Sequence, residues 1–252
     1  MALQYLTKTI CAIALSLTVP AYGATPTVDA KKAFEISDAS SFLIVEIDEP
    51  SLERFGGWPL PLSIHSRLLG LLSDGGAAGV LYNIAFAGEY SPAEVAQFRD
   101  AVRRLPVVVF PAFAGRNVPA LFEGSNVRLG VPALTPNEDG VMVQARLAER
   151  PSGKPTVVGL SACHLRMLSS CTFRANAVPL RNDGSIAVKL RLDQLLADEG
   201  PVTVARNRFV IVAARFRGFG SFKTPWAGNV PESEILAHAI AAAIRQVEGP
   251  KQ

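Results

Sequence analysis

The sequence has 252 residues, of which 49% are hydrophobic and 19% are charged, and its formal net charge is +3. This composition excludes an intrinsically disordered chain, and the nearly balanced charge with scattered arginines argues against nucleic acid as a partner. Three cysteines cannot build a disulfide-rich scaffold, so stability must come from a hydrophobic core.

Residues 1–23 have the features of an export signal. A lysine precedes an apolar run over residues 10–19, and small residues follow Pro20, which predicts cleavage before Ala24. The run is about half the roughly 20 residues that a membrane-spanning helix needs, so an uncleaved anchor is the less favoured alternative. We therefore expect a soluble periplasmic or secreted protein that begins with a polar lead-in, 24–41.

Strands and helices alternate in the next part of the chain. Apolar runs without polar alternation predict buried strands, and apolar residues at helical spacing predict helices. The second helix begins with a capping box, Ser91 to Glu94, with Pro92 at the first helical position. This alternation predicts a parallel sheet. The predicted strands are 42–47, 78–86 and 107–110, and the predicted helices are 61–73 and the segment after Ser91.

A glycine- and proline-rich excursion over residues 112–148 interrupts the alternation, and the turn at 137–140 predicts a β-hairpin within it. Beyond the excursion, the sequence of residues 218–223 predicts a flexible loop, and Asn229 is a candidate N-cap of the last helix. We expect one mixed α/β domain over 42–248, with a largely parallel sheet flanked by helices. The remaining predicted elements are helices 156–168 and 192–197, strands 186–190 and 209–214, and a final helix from Pro231.

Several short sequence segments resemble those of a known protein family and occur in the same order. They are residues 44–52, 57–61, 64–69, 77–80, 137–141, 182–184, 224–225 and 230–240. Together they resemble the type-two CHASE (CHASE2) domain, an extracellular sensory family named for cyclases and histidine kinases. The resemblance implies a sensory, ligand-binding or partner-binding module without catalytic residues. Members commonly continue into transmembrane helices and an output domain, so we expect a membrane-bound kinase or cyclase as the partner of this chain.

The predicted ligand site lies at the carboxyl ends of the strands, where parallel α/β sheets bind ligands. Two positions at which the family carries acids are Asn83 and Ser221 here, whereas nearby cations are retained. We therefore expect an anionic ligand more than a cationic one. The alternative is that the acids after the first strand cap the next segment or pair with these cations and close the cleft. The candidate residues are Asp48, Glu49, Asn83, Phe86, Arg217, Lys223 and Thr224.

Cys163 and Cys171 are eight positions apart, in a chain predicted to reach an oxidising compartment. A turn at Ser169–Ser170 would bring their Cα atoms within the roughly 4.4 to 6.8 Å that a disulfide requires. A helix running straight to 171 would hold them near 12 Å apart, since each residue rises about 1.5 Å. Both outcomes are compatible with the sequence.

The sequence contains no recognisable metal, cofactor or catalytic set. His65, His164 and His238 lack a second ligand at the i+3 or i+4 spacing that would place two on one helix face. Gly159–Cys163 lacks the second glycine of a nucleophile elbow and lies in a predicted helix. We therefore expect a protein that is not an enzyme. The alternatives are a hydrolase of cell-envelope metabolites and a structural envelope protein that has lost ligand binding.

Overall fold

The computed structural model describes residues 41–86, 89–112, 122–149, 152–168, 171–181, 187–197, 202–216 and 220–248. They belong to one compact unit, Ala33–Gln252. The strands are β1 (Phe42–Asp48), β2 (Gly79–Asn83), β3 (Val108–Pro111), β4 (Val127–Gly130), β5 (Gln144–Arg146), β6 (Thr172–Phe173), β7 (Ala177–Pro179), β8 (Ala187–Arg191), β9 (Phe209–Arg215), β10 (Ser221–Thr224), β11 (Gly228–Pro231) and β12 (Val247–Glu248). The helices are α1 (Glu49–Phe55), α2 (Leu62–Asp74), α3 (Pro92–Arg103), α4 (Val157–Leu165), α5 (Leu192–Leu195) and α6 (Glu232–Ile244), and Thr203–Ala205 form a 3₁₀ turn.

Six strands form the central sheet in the order β4-β3-β2-β9-β1-β8. Every neighbouring pair in this sheet is parallel. The last strand along the chain, β9, therefore lies between the first two, β1 and β2. The predicted α/β class with a largely parallel sheet is confirmed.

Helices cover both faces of the sheet, which explains why the central strands are apolar without alternation. On the first face, Leu43, Val45 and Ile47 of β1 share a core with α1, α2, α3 and α5. On the second face, Phe42 and Ile44 share a core with α4 and α6. These five side chains of β1 are at most 1% exposed.

The start of α3 shows why its position could be predicted. Ser91 Oγ accepts a hydrogen bond from the Glu94 backbone N–H at 3.3 Å, and the Ser91 N–H donates to Glu94 Oε2 at 2.9 Å. This capping box satisfies N–H groups that have no partner within the helix. Phe98, Ala101 and Val102 form the buried face of α3. The predicted helix after Ser91 is confirmed.

The excursion differs in part from the prediction. An antiparallel bridge between Leu134 and Ala145 encloses the turn at 137–140, so the predicted hairpin contact is present. However, the excursion also contributes β4, an edge strand of the central sheet, and β5, which pairs with β7. The sequence signal of β4 is weak because Arg128 and Leu129 are exposed at the sheet edge.

Two expectations near the C-terminus were wrong. Part of the loop predicted over 218–223 is strand β10, which pairs antiparallel with β11. Asn229 lies in β11, opposite Lys223, and is not the N-cap of α6; Pro231 occupies that position without a side-chain cap. The hairpin was missed because its strands are short and carry polar residues. It joins the end of β9 to the start of α6.

Candidate functional site at the carboxyl edge of the sheet

The connections after β1, β2 and β9 create crevices at the carboxyl edge of the sheet. After β1 and β2 the chain enters helices on the first face, whereas after β9 it passes through the β10–β11 hairpin to α6 on the second face. Adjacent strands whose following helices lie on opposite faces leave a crevice between their carboxyl ends. Because β9 lies between β1 and β2, both sides of its carboxyl end meet this condition.

On the β8 side of this edge, a closed network surrounds Asp48. Its Oδ1 accepts hydrogen bonds from the Ser51 N–H at 3.2 Å and the Ser51 hydroxyl at 2.6 Å, which caps α1. Its Oδ2 lies 3.3 Å from Arg191 Nε. Arg191 also holds Asp193 through two hydrogen bonds of 2.6 and 3.0 Å, and these bonds lower the pKa of Asp193. The network therefore ties α1 and α5 to the ends of β1 and β8.

A second polar group lies between β1, β9 and the start of α6. Glu46 is buried, and its Oε2 accepts a hydrogen bond from Arg215 Nη1 at 3.2 Å. Its Oε1 accepts one from Ser233 Oγ at 3.3 Å. The remainder of the Arg215 side chain is half exposed. A charge inside an apolar strand is thus retained by two partners from other elements, as burial requires.

The third polar contact joins β2 to α6. Glu232 is the first residue of α6, and its side chain interacts with that of Asn83. Burial raises the pKa of Glu232, and the interaction with Asn83 offsets part of that rise. Asn83 can donate to either form of this carboxyl group, whereas an aspartate at this position would place two acids in contact.

Phe86 follows β2 and enters an aromatic cluster. Its ring lies 5.1 Å from His65, 5.3 Å from Phe98 and 5.7 Å from Phe122, measured between centroids. His65 Nδ1 and the Tyr82 hydroxyl are 2.6 Å apart. Burial lowers the pKa of His65 to about 4, although a hydrogen bond to the Leu60 carbonyl opposes this shift. Burial also raises the pKa of Tyr82, so both groups are neutral near pH 7.

Lys223 and Thr224 lie in the β10–β11 hairpin. Thr224 is buried, and its hydroxyl holds the hairpin turn: it donates to the Gly228 carbonyl at 3.4 Å and accepts from the Ala227 N–H at 3.3 Å. The Lys223 side chain is exposed and has no ion-pair partner among the residues described. Its carbonyl accepts from the Met142 N–H at 2.7 Å, so the hairpin is joined to the excursion.

Gly220 holds this hairpin against the end of β9. Its φ is +73°, and a Cβ at this position would lie 2.2 Å from the Ala214 carbonyl oxygen. Its own carbonyl accepts a hydrogen bond from the Glu232 N–H at 2.7 Å. Position 220 therefore requires glycine, because a side chain there would clash with the end of β9 and the positive φ disfavours other residues.

The predicted site residues are only partly brought together. Asp48 and Asn83 lie at the carboxyl edge, Glu49 begins α1, and Phe86 packs within the aromatic cluster. Arg217 lies outside the described residues. Sequence reasoning missed four contributors: Glu46 interrupts a predicted strand and Arg191 follows one. The other two, Asp193 and Glu232, lie in predicted helices.

The two cysteines meet at the end of α4. The helix ends earlier than the predicted Leu168, because Met167 adopts a φ of +55° and the Leu168 N–H turns back to the Cys163 carbonyl at 3.0 Å. The Cα atoms of Cys163 and Cys171 are 5.9 Å apart, and the structure joins their sulfur atoms. The proposed turn residues 169–170 lie outside the described part of the chain. That the bond forms in the cell is still a prediction.

Ser161 is buried in α4, and its hydroxyl donates to the Val157 carbonyl at 2.8 Å.

Across the ranges that the structure describes, there is no group of three or more metal-ligating side chains. Within those same ranges, no helix has both the length and the apolar character needed to cross a membrane.

The comparisons with known proteins agree with the sequence resemblance. The model of the CHASE2 domain family matches residues 14–252, nearly the whole chain. No curated protein matches the sequence significantly, and neither does any solved structure.

Proposed function

The chain belongs to the CHASE2 family of sensory domains, and on this basis we propose that it is an exported sensory module that binds a small ligand in the bacterial cell envelope. Its proposed partner is a membrane-bound kinase or cyclase, the class of output from which the family takes its name. The proposal involves no cofactor and no catalysis by the chain itself.

The observation that carries this proposal is the position of β9. Its carboxyl end lies between two strands whose connections leave towards the opposite face, and polar groups from several elements gather there. Glu46 is buried there with partners from β9 and α6, and Asn83 is half-buried at the end of β2, so the sheet is polar at this edge although its centre is apolar. We propose that the ligand binds beside these crevices, at the adjoining hairpin.

The proposed charge of the ligand depends on which arginine and lysine side chains already form ion pairs within the protein. Arg191 and Arg215 contact carboxylates, which supports the closed-cleft alternative for this part of the edge. Lys223 is exposed and unpaired within the described ranges, and Arg217 follows β9 by two residues. We therefore propose an anionic ligand that contacts Lys223 and Arg217, and its affinity should fall with ionic strength.

A ligand screen tests the proposal. We expect one or more anionic metabolites to raise the melting temperature of the mature protein in a saturable way. The double variant Lys223→Ala with Arg217→Ala should weaken that binding, while Lys154→Ala, an exposed lysine elsewhere, should not. Stabilisation only by cations, or equal affinity in the double variant, would show that the site or its charge is wrong. Turnover in a hydrolase substrate screen would instead support the enzyme alternative.

A further inference from the structure

The excursion carries a surface depression formed by residues other than those at the strand ends. It has a volume of about 220 Å³. Its walls come from the two segments that flank the turn at 137–140, and the Leu134–Ala145 bridge holds these segments together. This volume suits a molecule smaller than a drug-sized ligand. The lining residues are Thr135, Pro136, Asn137, Val143, Gln144 and Arg146.

The arginine in this lining is oriented but not neutralised. Arg146 Nη2 donates a hydrogen bond of 2.8 Å to Thr135 Oγ1, which orients the guanidinium group. No carboxylate forms an ion pair with Arg146 in the part of the chain that is described. Because Thr135 Oγ1 accepts this bond, its own proton is available to an acceptor.

The two amides of the lining add further donors. Asn137 Oδ1 accepts hydrogen bonds from the backbone N–H groups of Asp139 and Val141 at 3.1 and 2.8 Å, which leaves its NH₂ group as the free end. Gln144 is exposed on β5, one position from buried Ala145. The depression therefore offers several donors, and none of its six lining residues is acidic.

We infer that this depression binds a small carboxylate with a short hydrocarbon body. A guanidinium presents paired N–H groups that match the two oxygens of a carboxylate. Pro136 and Val143, the latter 39% exposed, provide an apolar wall for the hydrocarbon part. The inference rests on the proposed ligand-sensing function, and it names a ligand class and a location separate from the strand-end crevices.

Isothermal titration of the full chain at constant ionic strength tests the inference, with sodium butyrate, sodium acetate and inorganic phosphate as probes. We expect saturable one-to-one binding of butyrate and weaker binding of acetate, since acetate has less apolar surface. Arg146→Gln should weaken butyrate binding about tenfold or more, the usual effect of losing a hydrogen bond to a charged group. Arg128→Gln is the matched control, because the hydrogen bonds of its side chain to described residues go to the backbone carbonyls of Ser125 and Val127.

A second variant protects the test against misfolding. Val143→Asp places a negative charge on an exposed wall residue, and it should abolish butyrate binding with little change in melting temperature. Binding of phosphate alone, no saturable butyrate binding, or unchanged affinity in both variants would overturn the inference. If a ligand from the screen depends on Lys223 while butyrate does not bind or binds equally well to Arg146→Gln, the inference fails and the proposed sensory function stands.

Discussion

Acidification should destabilise the protein through His65. The imidazole is 3% exposed, and burial lowers its pKa from 6.5 to about 4. The unfolded chain therefore binds a proton below about pH 6.5 that the folded chain accepts only near pH 4. Stability from this group is present above pH 6.5 and is lost as the pH falls towards 4. At about 1.36 kcal/mol per pKa unit, the loss between pH 7 and 4.5 is about 2 to 3 kcal/mol.

Urea unfolding at pH 7 and at pH 4.5 measures this loss, and the variant His65→Gln isolates the contribution of His65. Glutamine keeps hydrogen-bonding groups but does not titrate, so the variant should lose about 2 to 3 kcal/mol less than the wild type between the two pH values. His164→Gln is the comparison, because burial also lowers the pKa of His164 but the residue is less buried. We expect a smaller difference there. An equal pH dependence in His65→Gln and the wild type would refute the reasoning.

Three further predictions concern the cysteines, export and the start of α6. Thiol titration of the denatured, unreduced mature protein should find Cys163 and Cys171 paired, and replacing both by serine should cost about 2.5 kcal/mol from loop-closure entropy; two free thiols would contradict this. Intact-mass measurement should place the mature N-terminus at Ala24, and a full-length mass in the membrane fraction would contradict export. Because the pKa of Glu232 is raised, its charge opposes folding as the pH rises, so Glu232→Gln should raise the melting temperature at pH 7 and change it little at pH 4; a lower melting temperature at pH 7 would indicate that the charge stabilises α6.

The elements that could be predicted are those whose local sequence pattern matches their burial or their helix-capping contacts in the structure. Strand β9 is apolar throughout its centre because helices cover both faces of the sheet. Helix α3 begins with a capping box, and a proline occupies its first helical position. The edge strand β4 and the β10–β11 hairpin could not be predicted in this way. Both are partly exposed, so their side chains lack the pattern that burial imposes.

The strand order was the main obstacle to predicting the site. Local patterns do not reveal that β9 inserts between β1 and β2, or that β8 lies at the edge beyond β1. The rule that selected the loops after four strands would also have selected Arg191 if β8 had been placed in the sheet. Glu46 carried a different signal, a single charge within an apolar strand, and such a charge needs a partner from elsewhere in the chain.

The charged side chains of the carboxyl edge differ in their roles from those of the hairpin and the excursion. Asp48 and Glu46 are each held by an arginine and a serine, so their interactions are already satisfied within the protein. A ligand could gain from them only by displacing these bonds, at the cost of leaving a buried carboxylate unpaired. Lys223 and Arg146 have no such carboxylate partners in the described ranges. Ligand contacts should therefore come from the hairpin and the excursion, while the strand ends hold those segments in place.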